Sequence, residues 1–364
     1  MSHTAISPSA TASARSRSTA ARSVPGTGSE SIVTGATIPV GSRGTVPPMR
    51  AVLVVNPKAT TTSERSRDVL VRALRSEVDL SVRYTRRRGH AMDLAREAAQ
   101  EGVDLVVTLG GDGTVNEVVN GLMAAEPPTF RTGQTSAERL PALATVPGGS
   151  TNVFARALGL PREWPDGTSM ILEGLRLGRS RTIGLGRADD RYFTFCAGFG
   201  LDAAVIRRVE QSRKKGRVST PALYFRSTAS QYFVGSDRRH PSITLERPGE
   251  APDTELATAI IQNTAPWTYL GDREINPNPD ASFDLGLDVL ALRRLRVAST
   301  ARTAAQFFSR KPDPHGKHVL RLHDLAEFTL RSERPLPFQM DGDYLGEREK
   351  VRFTSVPAAL RVIC

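Results

Sequence analysis

Residues 108–122 read TLGGDGTVNEVVNGL: an apolar run ends in two glycines, an aspartate and a third glycine, and a helical pattern follows without a break. Glycines 110, 111 and 113 let backbone N–H groups come close to an anion and permit positive φ. A helix beginning near Thr114 adds the positive end of its dipole, so the stretch predicts a phosphate cradle. Within that helix Val115, Val118, Val119 and Leu122 recur at i, i+3, i+4 and i+7 and face a sheet. Asn116, Glu117 and Asn120 lie off that face, with Asn116 and Asn120 one turn apart. Asp112 is the informative residue, because a carboxylate beside phosphates is repelled unless a cation bridges them or a proton is being moved. Alone, GGxG marks a tight strand-to-helix turn; the acid, the helix and a second glycine pair downstream make it a binding-site signal.

The flanks supply the scaffold. AVLVVNP (51–57) is a short apolar run stopped by Asn-Pro, as expected of a buried strand ending in a loop. SERSRDVLVRALRSE follows with Val69, Leu70 and Leu74 at helical spacing, then the strand-like VDLSVRYT, the helical HAMDLAREAAQEG and the strand-like DLVVTLG. PALATVPGG adds a fourth strand ending in Gly148-Gly149. Alternating strands and helices with short connections predict a parallel sheet with helices on its faces, whose ligands sit beyond the carboxyl ends of the strands. Past about residue 180 the pattern becomes RYFTFCAGFG, SITLERPG, ELATAIIQNT, LGLDVLALR, HVLRLHD, EFTLRS, LPFQMDG and EKVRFTSV. These strand-like pieces, separated by turn residues, predict a mostly antiparallel second domain. Two stretches in it read as helical, Asp202 to Val234 and RVASTARTAAQFFSRK. There is no internal repeat.

Composition bounds the function. A chain of 364 residues with 39% hydrophobic residues can bury a large core and suits two domains. The expected organisation is a disordered tail over 1–48, poor in large apolar side chains, an α/β domain over 49–180 to which about 357–364 returns, and a β-rich domain over 181–356. The tail has no continuous apolar stretch of a secretory signal; its Arg- and Ser-rich, acid-poor composition is shared with cleaved targeting peptides, and the cytosol is the better reading. No apolar run is long enough to span a bilayer. Cys196 and Cys364 lie far apart without metal-ligand spacing, as ordinary thiols do. A net charge of +11 calls for an anionic partner. Nucleic acid is disfavoured, because no basic stripe interleaved with aromatics and no recognised module is present.

VVNPKA (54–59), TRRRGHAMDLA (85–95), GGDGTVNEVVNG (110–121), VPGGSTNVFARALG (146–159), GFGLDA (198–203) and MDGD (340–343) together resemble the diacylglycerol kinase catalytic-domain family of bacterial lipid kinases, related to sphingosine and ceramide kinases. The pieces occur in the family's order over most of the chain after residue 50. The resemblance implies a first domain of the NAD-kinase and phosphofructokinase type that binds ATP, and a β-sandwich that builds the lipid side of the cleft. It implies nucleotide contacts from Asn56, Pro57, Thr85, Gly110, Gly111, Asp112, Gly113, Thr114, Asn116, Glu117, Gly149, Ser150, Thr151 and Asn152. Ser150 stands where many relatives carry Thr, and its hydroxyl still suits a phosphate. The implied chemistry is transfer of the γ-phosphoryl group of ATP, with Mg²⁺, to a lipid hydroxyl, most directly diacylglycerol to give phosphatidic acid; a sphingoid base or another lipid alcohol fits as well.

MDGD resembles the family's Asp-Gly-Glu element, whose final acid is the expected base; that position is Asp343, one methylene shorter. Taken alone, Asp-Gly is a hairpin-turn signal. Asp341 and Asp112 suit structural hydrogen bonds or the water network around Mg²⁺, Asp112 touching the metal only indirectly. DASFDLGLDV carries Leu285 where many relatives have an acid before Gly286, so the resemblance implies that a second, structural Mg²⁺ site there is weakened or lost, with Asp284 as its one remaining, weak candidate. The six histidines form no site; His315 and His318 flank a Gly-Lys turn, and His90 caps the helix after Thr85. The basic run RRVEQSRKKGR (207–217) reads equally as a solvated face or as a contact to an anionic membrane surface, the latter placing the protein peripherally at the inner face of the membrane. A homodimer is compatible with this reading. The rival readings are an NAD kinase-like enzyme, disfavoured by VNEVVNG and GGSTN, and an inactive lipid-binding protein, disfavoured because Asp112, the glycines and Asp343 are all present.

Overall fold

In the computed structural model, which describes residues 48–58, 63–125, 136–214 and 241–364, the four apolar runs form parallel strands: β1 (Arg50–Val55), β2 (Asp79–Tyr84), β3 (Leu105–Gly110) and β4 (Ala142–Pro147). They lie in the order β2-β1-β3-β4. Helices α1 (Glu64–Arg75), α2 (His90–Gln100) and α3 (Asp112–Met123) connect them, with the single turn α4 (Ser136–Arg139) before β4, and α5 (Val153–Ala157) and α6 (Trp164–Leu177) follow it. Alternate residues of each strand serve opposite faces. Val52, Val54, Val106 and Leu143 pack with Ala91, Leu94, Val115 and Val118 of α2 and α3. Leu53, Val55, Val107 and Ala144 pack with Leu70 and Leu74 of α1 and Ile171 of α6 on the other face. Both faces are covered, and the strands read as unbroken apolar runs for that reason. Val69, at helical spacing with Leu70, is 54% exposed and lies off the packed stripe. Gly121 lets α2 and α3 touch, since a Cβ there would lie 2.2 Å from the Met92 carbonyl oxygen.

The later strands are β5 (Arg181–Ala188), β6 (Arg191–Phe193), β7 (Cys196–Gly200), β8 (Ile243–Glu246), β9 (Asp253–Leu256), β10 (Thr258–Gln262), β11 (Thr268–Leu270), β12 (Arg273–Ile275), β13 (Leu287–Leu292), β14 (Val319–Leu325), β15 (Glu327–Met340) and β16 (Asp343–Val362), with helices α7 (Leu201–Lys214) and α8 (Val297–Gln306). Their pairings are antiparallel. Phe193, Phe199, Phe328, Phe338 and Phe353 fill a second core, with Phe328 and Phe353 stacked at 5.0 Å. The long strand β16 pairs antiparallel with β15 and β5 along most of its length, and at Val362 it pairs parallel with Leu143 of β4. One hydrogen-bonded network of strands therefore runs from the two glycine loops to the MDGD turn, which fixes their spacing. The expected helix from Asp202 to Val234 is α7 as far as Lys214; its side chains are described to residue 211, and the remainder, with Arg213 to Arg217 of the basic run and the tail 1–47, lies outside the described residues. Both cysteines are free, and no described helix is long and apolar enough to cross a membrane.

Candidate functional site

Two glycine loops meet at the carboxyl ends of β3 and β4. The Gly148 N–H donates to the Gly110 carbonyl at 2.9 Å. A Cβ on Gly149 would lie 2.7 Å from the Gly111 Cα, and one on Gly148 would lie 2.9 Å from the Gly110 nitrogen. The glycines are thus required by backbone-to-backbone contact. This corrects the expectation of positive φ: residues 110, 111, 113, 148 and 149 are all outside the left-handed region, Gly111 being at φ −91 and ψ −177. The helix also begins earlier than expected, at Asp112 with Gly111 as its cap. Asn152 takes the left-handed conformation (φ 52) and closes the second loop, its Oδ1 accepting from the Gly149 N–H at 2.8 Å and its Nδ2 donating to the Gly149 carbonyl at 2.9 Å.

The Asp112 carboxylate is engaged by the protein itself, in structural hydrogen bonds. Its oxygens accept the Val153 and Phe154 N–H groups, each at 3.1 Å, capping α5 and tying the first loop to the second. Burial raises its pKa to about 6, against the lowering effect of those two bonds. Asn56 Nδ2 donates to Thr114 Oγ1 at 3.2 Å, its Oδ1 accepts the Lys58 N–H, and the Thr85 N–H bonds the Val55 carbonyl, so all three loops converge on the start of α3. Pro57, Thr85 and Thr151 line this rim and Ser150 is exposed on it.

Two residues expected at the nucleotide are occupied within the protein. Asn116 is 1% exposed. Its Nδ2 donates to Asp341 and to the Tyr192 carbonyl, and its Oδ1 accepts from Arg191 at 2.7 Å. Glu117 accepts the Gly89 and Ala91 N–H groups at 2.8 and 3.1 Å, capping α2, whose own N-cap is a glycine with no side chain to do so. His90, read as a cap, instead accepts the Arg86 N–H through Nδ1. Glu117→Ala should lower stability by about 1–2 kcal/mol, measured by urea unfolding; an unchanged midpoint would mean the α2 end is held by other groups.

The MDGD turn reaches the same place from the other side. Asp341 (φ 47) and Gly342 (φ 80) make a tight hairpin joining β15 to β16. Asp341 is 4% exposed and accepts from Asn116, from the Thr194 N–H and hydroxyl, and from the Phe195 and Cys196 N–H groups. Burial nonetheless raises its pKa. With every lone-pair direction engaged, Asp341 anchors the turn. Asp343 is the acid left facing the cleft: its Oδ2 lies 3.4 Å from where Gly113 would carry a Cβ, over the first turn of α3, and 3.2 Å from Arg88 Nη2. Burial pushes its carboxyl upward, Arg88 opposes that, Glu210 adds to it, Arg191 opposes it and Asp341 adds to it.

Helix α7 clasps this turn on both sides of Asp343. The Tyr344 N–H donates to Glu210 Oε1 at 3.0 Å. The Gly342 N–H donates to Gln339 Oε1 at 3.0 Å, and Gln339 Nε2 donates to Asp202 Oδ2 at 2.7 Å. Asp202 and Glu210 stand eight residues apart on α7, two turns on nearly one face. Sequence reading quoted Asp202 within GFGLDA and Glu210 within the basic run without giving either a role; the signal was two acids at that spacing beside a basic helix. Arg88 likewise sat unassigned inside TRRRGHAMDLA, and Arg191 had no signal. Burial raises the Asp202 pKa to about 6. A carboxyl raised on folding contributes stability that is present below its unfolded pKa, near 4, and is lost as pH rises through about 6. Asp202→Asn, which keeps an acceptor for Gln339, should therefore raise stability near pH 7 by on the order of 2 kcal/mol and flatten its pH dependence; equal melting curves at both ends of that window would refute it.

A hairpin from the later strands closes the far edge. The Arg156 guanidinium of α5 lies 3.3 Å from the centroid of the Tyr269 ring and donates to the Gly271 carbonyl, while Arg162 pairs with Asp272 at 3.3 Å. Asp284, the weak structural-metal candidate, is 62% exposed and ion-paired with Arg181 at 2.6 Å, and no group of three potential ligands surrounds it or any other point among the described residues.

The model of the diacylglycerol kinase catalytic domain matches residues 50–188. A diacylglycerol kinase of Staphylococcus aureus (strain MRSA252) is 32% identical over 303 residues, covering 82% of this chain and 87% of the relative. The diacylglycerol kinase of Bacillus subtilis (strain 168) is 28% identical over 275 residues, covering 74% and 80%. A crystal structure of a diacylglycerol kinase from Bacillus anthracis str. Sterne superposes with a TM-score of 0.63 at 19% identity, covering 87% of this chain and 97% of that one, and so shares its fold.

Proposed function

This chain belongs to the diacylglycerol kinase family and is a lipid kinase, and we propose that it transfers the γ-phosphoryl group of ATP to the hydroxyl of diacylglycerol, giving phosphatidic acid. The observation that carries the reading is the placement of Asp343, a partly buried carboxylate set over the first turn of the helix that leaves the glycine loops. Phosphoryl transfer asks for positioned reactants, compensation of phosphate charge and a base for the attacking hydroxyl. The two glycine loops, packed backbone against backbone, and the amino end of α3 supply the first two. Arg88 and Arg191 add positive charge beside Asp343. Asp343 then takes the proton of the lipid hydroxyl as its oxygen bonds to the γ-phosphorus and the bond to the β-phosphate oxygen breaks.

Mg²⁺ fits this site only as an ion carried by the phosphates. Asp112 and Asp341 spend their oxygens on protein donors, so the protein contributes at most contacts through water. When bound, the ion supplies charge neutralisation at the transferring phosphoryl group. We assign the two halves of the chain the expected parts, nucleotide to 49–180 and lipid to 181–356, with the protein acting at the inner face of the membrane.

Incubating purified protein with radiolabelled ATP and a panel of lipid micelles tests the reading. Label in phosphatidic acid is expected; label only in a phosphorylated sphingoid base would replace the acceptor, and label in neither would overturn the activity. The α7 clasp has a separate expectation. Glu210→Ala frees the Tyr344 N–H and should lower kcat about tenfold with little change in the KM for ATP, while Glu210→Gln retains an acceptor and restores most of it. Equal rates in the two variants would mean that Asp343 is held without α7.

A further inference from the structure

Between residues 293 and 321 the chain carries eight lysines and arginines and a single acid, Asp313. Asp313 pairs through one oxygen with Arg321, 2.7 Å from its Nη1, and its other oxygen lies 3.6 Å from Nδ1 of His315 at the edge of the cavity described next. This segment, from the end of β13 through α8 to the start of β14, holds a large share of the net charge of +11, and none of it belongs to the phosphate cradle. It also encloses a cavity of about 300 Å³ whose lining contains no carboxylate. Leu292 and Val319 contribute apolar surface to it, and Arg294, Arg302, Lys317 and His318 supply the basic part. Arg294 reaches Glu255 only at 4.0 Å, and neither Arg302 nor Lys317 forms an ion pair with a described carboxylate.

Cations gathered around a concavity repel one another unless an anion joins them, and a volume near 300 Å³ lies at the low end of small-molecule sites. The apolar surface narrows the choice. Leu292 and Val319 belong to a small cluster with Leu290, Leu295, Leu201 of α7 and Phe307, so an occupant meets hydrocarbon on one side and guanidinium and ammonium on the other. A free phosphate ion uses only the second. We propose that this cavity binds the phosphodiester headgroup of an anionic phospholipid in the bilayer surface, the phosphate between Arg302 and Lys317 and the glycerol and first methylenes against Leu292 and Val319. The surrounding Arg296, Arg310 and Lys311 add attraction to the same surface. The proposal stands on charge and shape and is independent of which lipid hydroxyl receives phosphate.

The test is flotation of the full-length protein with vesicles of phosphatidylcholine alone and of phosphatidylcholine mixed with phosphatidylglycerol. The double variant Arg302→Gln, Lys317→Gln should lose on the order of tenfold or more in affinity for the anionic vesicles, keep its weak binding to neutral ones, and keep its melting temperature and its activity on a short-chain diacylglycerol in solution. The charge-preserving pair Arg302→Lys, Lys317→Arg should restore binding. Inorganic phosphate or glycerol phosphate, compared with chloride at equal ionic strength, should not release wild-type protein from the vesicles. Undiminished anionic binding by the Gln variant overturns the site. An equal loss on neutral vesicles overturns its electrostatic basis, and release by free phosphate at matched ionic strength replaces the lipid headgroup with a soluble anion.

Discussion

Asp343→Asn is expected to bind nucleotide as tightly as the wild type and to turn over at about one hundredth of its rate or less. The amide has the shape of the carboxylate and still meets Arg88, so the site stays assembled; what it lacks is a lone pair basic enough to take a proton. Neither neighbouring acid replaces it. Asp341 lies buried under donors from Asn116, Thr194, Phe195 and Cys196, and Asp112 is turned onto the amino end of α5. The pH profile gives an independent reading. Burial holds the Asp343 carboxyl above its ordinary value, and catalysis needs the ionised form. The rate should therefore fall as pH drops through that raised pKa, earlier than an exposed carboxylate would require. Removing the positive neighbour in Arg88→Gln should move this acid limb to higher pH, because the charged form loses its ion pair. Near-normal turnover in Asp343→Asn, or an acid limb that ignores Arg88, would move the base elsewhere.

The α/β half was legible because its signals are local. Buried parallel strands read as short apolar runs, the four loops that matter each follow one, and the periodicity of α3 located its packed face residue by residue. Val69 shows the limit of periodicity alone: it shares the helical spacing of Leu70 and Leu74, yet only the neighbouring chain decides which of two adjacent stripes is covered. The hairpin β11–β12 went unseen because its strands have three residues each and its stability comes from Arg156 and Arg162, more than a hundred positions away. The family of the chain was legible in the ordered motifs and is supported over most of its length.

The internal bonding of the candidate site residues was not legible for one physical reason: a sequence shows which groups are polar but not which are already bonded. Asn116, Glu117 and Asn152 were expected at the nucleotide, and Asp112 either there or in structural hydrogen bonds. Each is committed to backbone or side-chain partners that set loop geometry. For the glycines only the positive-φ half of the explanation fails, since conformational freedom and lack of bulk leave the same mark in a sequence. Asp-Gly in MDGD proved to be the turn that its composition signals and, in the same geometry, the device that presents Asp343. Glu210 and Gln339, to which no role was given, hold the turn around Asp343 through the Tyr344 and Gly342 N–H groups, and a contact to backbone leaves little mark in sequence beyond the spacing of Asp202 and Glu210.

That distinction between freedom and bulk yields the other large expected effect. Gly149→Ala should reduce nucleotide affinity by on the order of a hundredfold while the protein still folds, with a stability loss of about 1–3 kcal/mol. The added methyl would lie 2.7 Å from the Gly111 Cα and 3.0 Å from Asn152 Oδ1. Neither can yield cheaply, because Gly111 is the cap of α3 and Asn152 is bonded to both the nitrogen and the oxygen of residue 149. The two loops must part, and the amino end of α3, where we propose that phosphate binds, loses its partner loop, which is where positioning matters most. At Gly111 the same addition meets the Gly149 Cα at 3.3 Å, a contact that a few tenths of an ångström relieves, and its φ of −91 suits alanine. Gly111→Ala should therefore cost only about tenfold in affinity, whereas a requirement for positive φ would have made it as damaging as Gly149→Ala. Calorimetric titration with ATP, alongside melting curves to show that both variants fold, separates the two accounts: equal and severe losses would restore a conformational role for glycine, and unchanged binding in Gly149→Ala would remove the phosphate cradle from this pair of loops.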